Sequence, residues 1–197
     1  MRLIGLTGGI AGGKSTAARI LAGLGLPVLD TDEVVHQLLE PEGAAYRPVV
    51  EAFGPGILDE EGRIHRGRLG QVVFRDKEAR RRLESIVHPL VAREVRRWIQ
   101  ERAREGHRWG VLEVPLLVEA GWDRWVDEVW VVDVAPEVQV QRLMKERGLS
   151  RDEALARIGA QISREERRAR ATRIIGNEGT VAELEERLRE AWQELQR

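Results

Sequence analysis

Residues 8–15 have the sequence Gly8-Gly9-Ile10-Ala11-Gly12-Gly13-Lys14-Ser15, and Thr16 follows. The run fits the pattern G-x-x-x-x-G-K-[S/T] at every position. An apolar segment at residues 2–6 precedes it, and a helical pattern at 14–23 follows it. Strand, glycine-rich loop and helix in this order form a motif that binds nucleotide phosphates. We therefore predict an α/β fold with a phosphate site at the end of its first strand.

Each residue type in this phosphate loop (residues 8–16) suits ATP. Glycines permit backbone angles closed to other residues, so that N–H groups of the loop can point at phosphate oxygens. Lys14 is expected to reach the β- and γ-phosphates, and the Ser15 hydroxyl to ligate Mg²⁺. The residues predicted to bind ATP here are Gly8, Gly9, Ile10, Ala11, Gly12, Gly13, Lys14, Ser15 and Thr16.

Further apolar runs predict a parallel sheet with helices between its strands. Besides 2–6, strands are predicted at 26–29, 111–114, 129–134 and 173–175. Helical patterns cover 33–40, 76–104, 136–147 and 180–195. Pro89 is expected to kink or split the second of these helices. Residues 41–67 are rich in glycine and proline, and we expect them to be irregular.

Acidic side chains occur where predicted strands end. Asp30 and Asp32 follow the second strand, and Glu113 lies near the end of the third. A kinase acting on a hydroxyl needs a carboxylate to orient it and accept its proton. We expect one of Asp30 and Asp32 in this role, and the other, or Glu113, to hold Mg²⁺ through water. Alternatively, Asp32 caps the following helix and Glu113 only pairs with a basic group.

Arginines are concentrated after the fourth predicted strand. They are Arg142, Arg147, Arg164, Arg167, Arg168, Arg170 and Arg173. Phosphoryl transfer needs cations against the transferring group, and a helical lid would supply them and exclude water. We expect Arg142 to contact phosphate and most of the others to be solvated. Capping boxes predict helix starts at Ser150, Ser163 and Thr180.

Composition limits the class of protein. A chain of 197 residues can form one full core with an inserted lobe, but not two large domains. The absence of cysteine excludes disulfides, thiolate metal sites and cysteine nucleophiles. A net charge of −1 argues against nucleic acid, and no apolar run could span a membrane. We expect a cytoplasmic enzyme that is a monomer or small homo-oligomer.

Short motifs follow the phosphate loop in a definite order. They are Val28-Leu29-Asp30-Thr31-Asp32, His88-Pro89-Leu90, Val114-Pro115-Leu116-Leu117-Val118-Glu119, Val132-Asp133-Val134, Gln141-Arg142-Leu143, Arg147-Gly148-Leu149-Ser150, Arg157-Ile158, Gln161 and Ile175-Gly176-Asn177. As an ordered set spanning essentially the whole chain, they resemble the dephospho-coenzyme A kinase family.

The resemblance implies a P-loop kinase of the nucleoside-monophosphate-kinase type. Such a protein has a three-layer α/β core with a five-stranded parallel sheet, an inserted helical substrate domain and a helical lid. On this chain the core would comprise about 1–32, 108–135 and 170–197, the inserted lobe about 33–107 and the lid about 136–169.

The resemblance also implies a reaction, the transfer of the γ-phosphate of ATP to the ribose 3′-hydroxyl of dephospho-coenzyme A. This is the final step of coenzyme A synthesis. Asp32 matches the family's base, and Lys14 and Ser15 match its phosphate and Mg²⁺ groups. The remaining implied contacts are Arg142 in the lid, Asn177 near the adenine of ATP, and His88 and Leu116 at the acceptor.

The sequence departs from the family pattern at a few positions, and two other functions are compatible with parts of it. The family often has Asp where Thr172 stands and a small polar residue in place of Ala11 or Gly12, and His88 could be a packed hinge residue. A kinase for another small acceptor, such as a nucleoside monophosphate, would carry the same loop. A GTPase is disfavoured, because the D-x-x-G match at 59–62 follows no apolar strand and N-K-x-D is absent.

Overall fold

A five-stranded, all-parallel β-sheet is the centre of the fold in a computed structural model that describes residues 1–197. Its strands are β1 (Arg2–Gly8), β2 (Val28–Asp30), β3 (Trp109–Glu113), β4 (Glu128–Asp133) and β5 (Arg173–Gly176). They lie in the order β2-β3-β1-β4-β5. The predicted parallel sheet is therefore confirmed, and β2 and β5 lie at its edges.

The central strand β1 pairs with β3 on one side and with β4 on the other. Leu6 lies opposite Glu113 of β3, and Gly8 lies opposite Val132 of β4. Because the three strands are parallel, they end at the same edge of the sheet. The phosphate loop leaves β1 at that edge, so the ends of β3 and β4 flank it.

Helices fill the connections between the strands. They are α1 (Lys14–Gly23), α2 (Thr31–Leu39), α3 (Tyr46–Phe53), α4 (Arg66–Arg75), α5 (Lys77–Arg104), α6 (Pro136–Arg147), α7 (Arg151–Gly159), α8 (Arg164–Ala169) and α9 (Val181–Leu195), with short 3₁₀ turns at Pro55–Ile57 and Trp122–Trp125. Helices α1 and α9 pack on the sheet in one core. Ile4, Leu21, Trp130 and Leu188 are fully buried there.

Local signals define several helix ends. Gly148 ends α6 in the left-handed conformation, with φ of 64°, which glycine adopts without strain. At Ser150 and Thr180 the capping box is complete, because the side chains of cap and glutamate each bond the other's backbone. Ser163 caps α8 through the Glu166 N–H alone. All three predicted starts are confirmed, and only the box at Ser163 is half formed.

Residues 41–67 are more regular than predicted. They contain α3, a 3₁₀ turn and the first residues of α4. Pro48 lies in the first turn of α3, where its missing N–H has no helical partner to lose. Gly54 and Gly62 both have φ of 75° and stand between elements. The glycines and prolines thus mark helix boundaries, and the prediction of an irregular segment is wrong.

Helix α5 continues through Pro89 without a break. Proline inside a helix removes one hydrogen bond and crowds the preceding turn. The apolar stripe on either side, with Val87, Val91 and Val95 buried, is continuous, and packing of this stripe holds the helix together. The helix is therefore not split at Pro89.

The chain forms two compact units. One comprises Met1–Leu29 and Arg102–Arg197, and the other comprises Asp30–Glu101. The first contains the phosphate loop and most of the sheet, and the second is built mainly of helices α2 to α5. None of the helices combines the length and apolar character needed to cross a membrane.

Candidate active site

The phosphate loop contains two residues in the left-handed region. Gly13 has φ of 91° and precedes the first turn of α1, and Ala11 has φ of 57°. The other loop glycines, Gly8, Gly9 and Gly12, have no positive φ in this region. Of the four glycines, only Gly13 is therefore needed for its backbone angle. The prediction that the glycines serve unusual angles is right there and wrong for the other three.

Two of the remaining loop glycines, Gly8 and Gly12, are required for space, because backbone lies beside them. A Cβ on Gly8 would lie 2.6 Å from the Val132 carbonyl oxygen, and one on Gly12 would lie 2.8 Å from the Gly9 carbonyl oxygen. A Cβ on Gly9 would lie 2.4 Å from the Gln139 Nε2. The backbone oxygens beside Gly8 and Gly12 leave no room for a side chain, whereas a side chain at Gly9 would displace the Gln139 amide.

Lys14, Ser15 and Glu113 meet where α1 begins. The Lys14 Nζ donates to the Glu113 Oε1 at 2.5 Å, and the Ser15 Oγ donates to the same oxygen at 2.7 Å. Glu113 is the last residue of β3 and is only 4% exposed. The structure thus brings together an ammonium, a hydroxyl and a buried carboxylate at the start of the helix.

This group suits Mg²⁺, which takes oxygen ligands and is commonly held by one or two protein oxygens together with substrate phosphates. Ser15 and Glu113 supply two oxygens 2.7 Å apart. No group of three or more His, Asp or Glu side chains is arranged to hold a metal ion in the chain. The donors present fit an ion shared with a nucleotide rather than one enclosed by protein.

Asp30 and Asp32 lie at the start of α2, in the second compact unit. The Asp30 carboxylate accepts from the backbone N–H groups of Asp32 and Glu33, at 2.9 Å and 3.4 Å. Asp30 therefore caps α2, and the alternative in which Asp32 is the cap is wrong. Asp32 is the second residue of the helix, and it is exposed.

Arg142 and Asn177 both bind the backbone of the phosphate loop. The Arg142 guanidinium donates to the Ala11 carbonyl at 3.2 Å and to the Asn177 carbonyl at 2.8 Å. The Asn177 Nδ2 donates to the Gly12 carbonyl at 2.8 Å, and this side chain is buried. Both residues thus support the loop directly.

Asp133, the last residue of β4, binds two arginines of α8. Its carboxylate accepts from the Arg164 Nε at 2.9 Å, from the Arg164 Nη2 at 2.7 Å, and from the Arg168 Nη1. Burial raises the pKa of Asp133, but the hydrogen bonds and charges of the two arginines outweigh this and lower it below its ordinary value. The ion pairs attach α8 to the end of β4.

Arg167 differs from its neighbours, because it is buried rather than solvated. Its guanidinium donates to the Ile162 carbonyl at 3.1 Å. Burial lowers the pKa of this guanidinium, and the charges of Glu119 and Asp133 partly oppose the effect. The expectation that most lid arginines are solvated does not hold for Arg167.

Gln139, Gln161 and Asp133 contact site residues and were given no role from sequence. Gln139 lies in α6 and Gln161 lies between α7 and α8, and both bond the backbone of Ile10. The only sequence signal for Gln139 was its position between the apolar residues Val138 and Val140 of a predicted helix. Neither partner could be identified, because both lie far from Ile10 along the chain.

Comparison with known proteins identifies the family of this chain. The model of the dephospho-CoA kinase family matches residues 2–183. The chain belongs to the dephospho-CoA kinase family. A dephospho-CoA kinase of Symbiobacterium thermophilum is 48% identical over 192 residues, covering 98% of this chain and 80% of the relative.

Solved structures show the same fold over the whole chain. TT1252 from Thermus thermophilus superposes with a TM-score of 0.85 at 37% identity, covering 98% of this chain and 97% of that one. Dephospho-CoA kinase from Campylobacter jejuni gives 0.72 at 28% identity, covering 99% and 98%. The dephospho-CoA kinase family match runs from β1 into α9, so every site residue described above lies within it.

At Thr172, where the resemblance led us to expect Asp, the hydroxyl joins two strands. Its Oγ1 accepts from the Val129 N–H at 3.0 Å and donates to the Glu128 carboxylate at 2.5 Å. An acceptor at this position therefore ties the residues before β5 to the start of β4. The threonine supplies this acceptor without the charge.

The two expected acceptor contacts, His88 and Leu116, are both exposed to solvent. His88 lies on an exposed part of α5, and Leu116 follows β3 and is 39% exposed. Exposure of His88 argues against a packed hinge residue.

Asp59 lies in a turn, where its carboxylate accepts from the N–H groups of Glu61 and Arg63. The D-x-x-G match is therefore a local turn and follows no strand of the sheet.

Proposed function

We propose that this protein transfers the γ-phosphate of ATP to the ribose 3′-hydroxyl of dephospho-CoA, giving CoA and ADP. The meeting of Lys14, Ser15 and Glu113 at the N-terminus of α1, in a chain of the dephospho-CoA kinase family, is the observation that supports it. Phosphoryl transfer depends mainly on positioning and on charge stabilisation. The residues are therefore assigned by what each can hold or neutralise.

The phosphate groups of ATP would be bound by the phosphate loop. The first N–H groups of α1 have no helical partner and carry the positive end of its dipole. Lys14 adds a full positive charge at the same place. Arg142 and Asn177 keep the loop in shape through the carbonyls of Ala11 and Gly12. We infer that both contribute to ATP binding through the loop.

Mg²⁺ would be held by the Ser15 hydroxyl directly and by Glu113 through water. When bound, the ion supplies charge neutralisation for the phosphates. Glu113 is preferred over Asp30, since the Asp30 carboxylate already caps α2. The hydrogen bond that Glu113 accepts from Ser15 also orients the Ser15 hydroxyl.

Asp32 is proposed as the group that orients the acceptor hydroxyl and accepts its proton. It follows β2 and lies in the first turn of α2, and ligands of open α/β sheets bind beyond the carboxyl ends of strands. Its carboxylate is exposed to solvent, and so accessible to an acceptor. His88 and Leu116 remain proposed acceptor contacts.

The test is an ADP-release assay with dephospho-CoA, AMP, CMP and shikimate as separate acceptors. We expect turnover with dephospho-CoA alone. Lys14→Ala and Asp32→Asn should each reduce kcat/KM by about a hundredfold or more. Asp152→Asn is the matched control, because Asp152 is an exposed acid at the second position of α7, as Asp32 is in α2.

The possible results separate the assignments. Turnover with AMP or CMP would support a nucleoside monophosphate kinase and contradict the proposed acceptor. Full activity of Asp32→Asn would contradict its role as base while leaving the acceptor intact. Loss of activity in Asp152→Asn as well would show that a helix-end charge, rather than the chemistry at Asp32, is responsible.

A further inference from the structure

Two glutamines from different parts of the lid hold one residue of the phosphate loop. The Gln139 Nε2 donates to the Ile10 carbonyl at 2.7 Å. The Ile10 N–H donates to the Gln161 Oε1 at 2.8 Å. The two amides thus satisfy both backbone groups of Ile10. Because the carbonyl needs a donor and the N–H needs an acceptor, the orientation of each amide is defined by its partner.

The contact between the two glutamines and Ile10 is partly buried and closely packed. Gln139 is 6% exposed and Gln161 is partly exposed. The Ile10 side chain packs against a small core of Val140, Leu143 and Ala154. Ile10 is therefore held through its side chain by α6 and α7, and through its backbone by the two glutamines.

The same contact would be disturbed by a side chain at Gly9. A Cβ there would lie 2.4 Å from the Gln139 Nε2 and 3.2 Å from the Arg167 Nη1. A side chain at this position would push Gln139 away from Ile10. The glycine and the glutamine therefore form one arrangement.

Holding Ile10 has a consequence for the next residue. Ala11 has φ of 57°, a conformation that residues other than glycine disfavour. Such a conformation persists only where its surroundings determine it. Ile10 is held on one side of Ala11, and Arg142 and Asn177 bind the carbonyls of Ala11 and Gly12. These contacts keep the loop in shape.

We propose that Gln139 and Gln161 are positioning residues for ATP, which hold the phosphate loop ready before the nucleotide binds. The inference rests on the proposed function only in that the loop binds ATP. The glutamines act through the loop backbone, and binding to a loop already in shape avoids the entropy of ordering it. Their loss should weaken ATP binding while leaving the affinity for the acceptor unchanged.

The first experiment measures the Kd of ATP by titration calorimetry, without acceptor, in Gln139→Met and Gln161→Met. Methionine keeps the length of the side chain and removes its hydrogen bond. Each change should raise the Kd of ATP about tenfold. The KM of ATP should rise as well, whereas the KM of dephospho-CoA should stay within about twofold of its value in the unmodified protein. Gln193→Met, at an exposed site in α9, should bind ATP normally.

A second pair of variants tests the direction of each hydrogen bond. Gln139→Glu and Gln161→Glu add the same charge near the same residue. Glutamate at 161 still accepts from the Ile10 N–H, whereas glutamate at 139 cannot donate to the Ile10 carbonyl. ATP binding should therefore fall more in Gln139→Glu. An equal loss in the two variants would contradict the assignment.

Direct binding separates this inference from the proposed function. If the unmodified protein does not bind ATP, the proposed function fails. If it binds ATP and both methionine variants bind equally well, with only a lower Tm, the glutamines are packing residues and the inference fails. Tighter binding in Gln161→Met would also overturn it. Since Gln161 is partly exposed, its variants test the proposal even if Gln139→Met does not fold.

Discussion

At the scale of single residues, Glu113 has two partners that are expected to act on phosphate and Mg²⁺. One of its oxygens accepts from both Lys14 and Ser15. A buried carboxylate of this kind compensates the ammonium and orients the hydroxyl. Its charge should therefore matter more than its shape.

Glu113→Gln is expected to raise the Mg²⁺ concentration needed for half-maximal activity by about tenfold, since a charge-assisted hydrogen bond contributes roughly 1.5–3 kcal/mol. The measurement is ADP release against Mg²⁺ concentration. Glu190→Gln, at an exposed site of α9, is the control. An unchanged Mg²⁺ dependence in Glu113→Gln would contradict the metal assignment and leave Glu113 as a hydrogen-bond partner of Lys14 and Ser15.

Gly13 combines a left-handed backbone with close contact. A Cβ there would lie 2.0 Å from the Asn177 Nδ2. Gly25 has a similar φ of 89°, and nothing lies within 4 Å of its Cβ position. The two glycines therefore allow backbone strain and steric contact to be measured separately.

We expect Gly25→Ala to cost about 1–2 kcal/mol of unfolding free energy through strain alone. Gly13→Ala should cost at least about 1 kcal/mol more, because Asn177 must give up its hydrogen bond to Gly12. Urea unfolding of both variants measures the difference. Equal losses would mean that Asn177 moves aside freely and does not hold the loop.

At the scale of elements, α5 is the case in which packing outweighs local preference. It runs for 28 residues with Pro89 in its interior. In isolated helices an interior proline is about 3 kcal/mol less favourable than alanine. The buried stripe on either side stabilises α5 despite the missing hydrogen bond.

Pro89→Ala should therefore stabilise the protein by about 1–3 kcal/mol, because it restores a backbone donor to α5. Gln100→Ala, at an exposed position of the same helix, should change stability by less than about 0.5 kcal/mol. Thermal unfolding monitored by circular dichroism compares the two variants. A lower Tm for Pro89→Ala would show that α5 is built around the proline.

At the scale of the whole molecule, four strands end in residues that bind or begin the next part of the chain. Gly8, Asp30, Glu113 and Asp133 are the last residues of β1 to β4. Gly8 begins the phosphate loop, Asp30 caps α2, Glu113 binds Lys14 and Ser15, and Asp133 binds α8. This placement follows the rule that ligands of α/β sheets bind at the carboxyl ends of strands.

Acid should unfold the protein partly through Asp133. Its pKa in the folded protein is lower than its ordinary value, so the unfolded chain binds the proton more readily. The stabilisation is complete well above the unfolded pKa of about 3.9 and is lost as the pH falls through the lower folded value. Asp133→Asn should therefore lower stability at neutral pH by about 2 kcal/mol.

Unfolding free energies measured from pH 7 to pH 2 would check this expectation. The difference between the unmodified protein and Asp133→Asn should shrink below about pH 4. Asp152→Asn, at an exposed site of α7, should change the unfolding free energy by much less than Asp133→Asn at neutral pH. A constant difference at every pH would mean that shape, and not the charge of Asp133, attaches α8 to β4.

The sequence by itself determined the features that depend on neighbouring residues. The phosphate loop, the five strands and the helix starts at Ser150, Ser163 and Thr180 all follow from short contiguous patterns, and the family follows from the order of such patterns along the chain. Such patterns work because hydrogen bonding in a cap and phosphate binding by a loop involve groups only a few residues apart.

Only the tertiary structure decided the features that depend on distant groups. Gln139 and Gln161 bind Ile10 across 129 and 151 residues, and Lys14 meets Glu113 across 99. Whether a glycine serves an angle or a close approach likewise depends on what lies beside it. No local pattern encodes these contacts, because the sheet order and the packing of α6 to α8 bring the groups together.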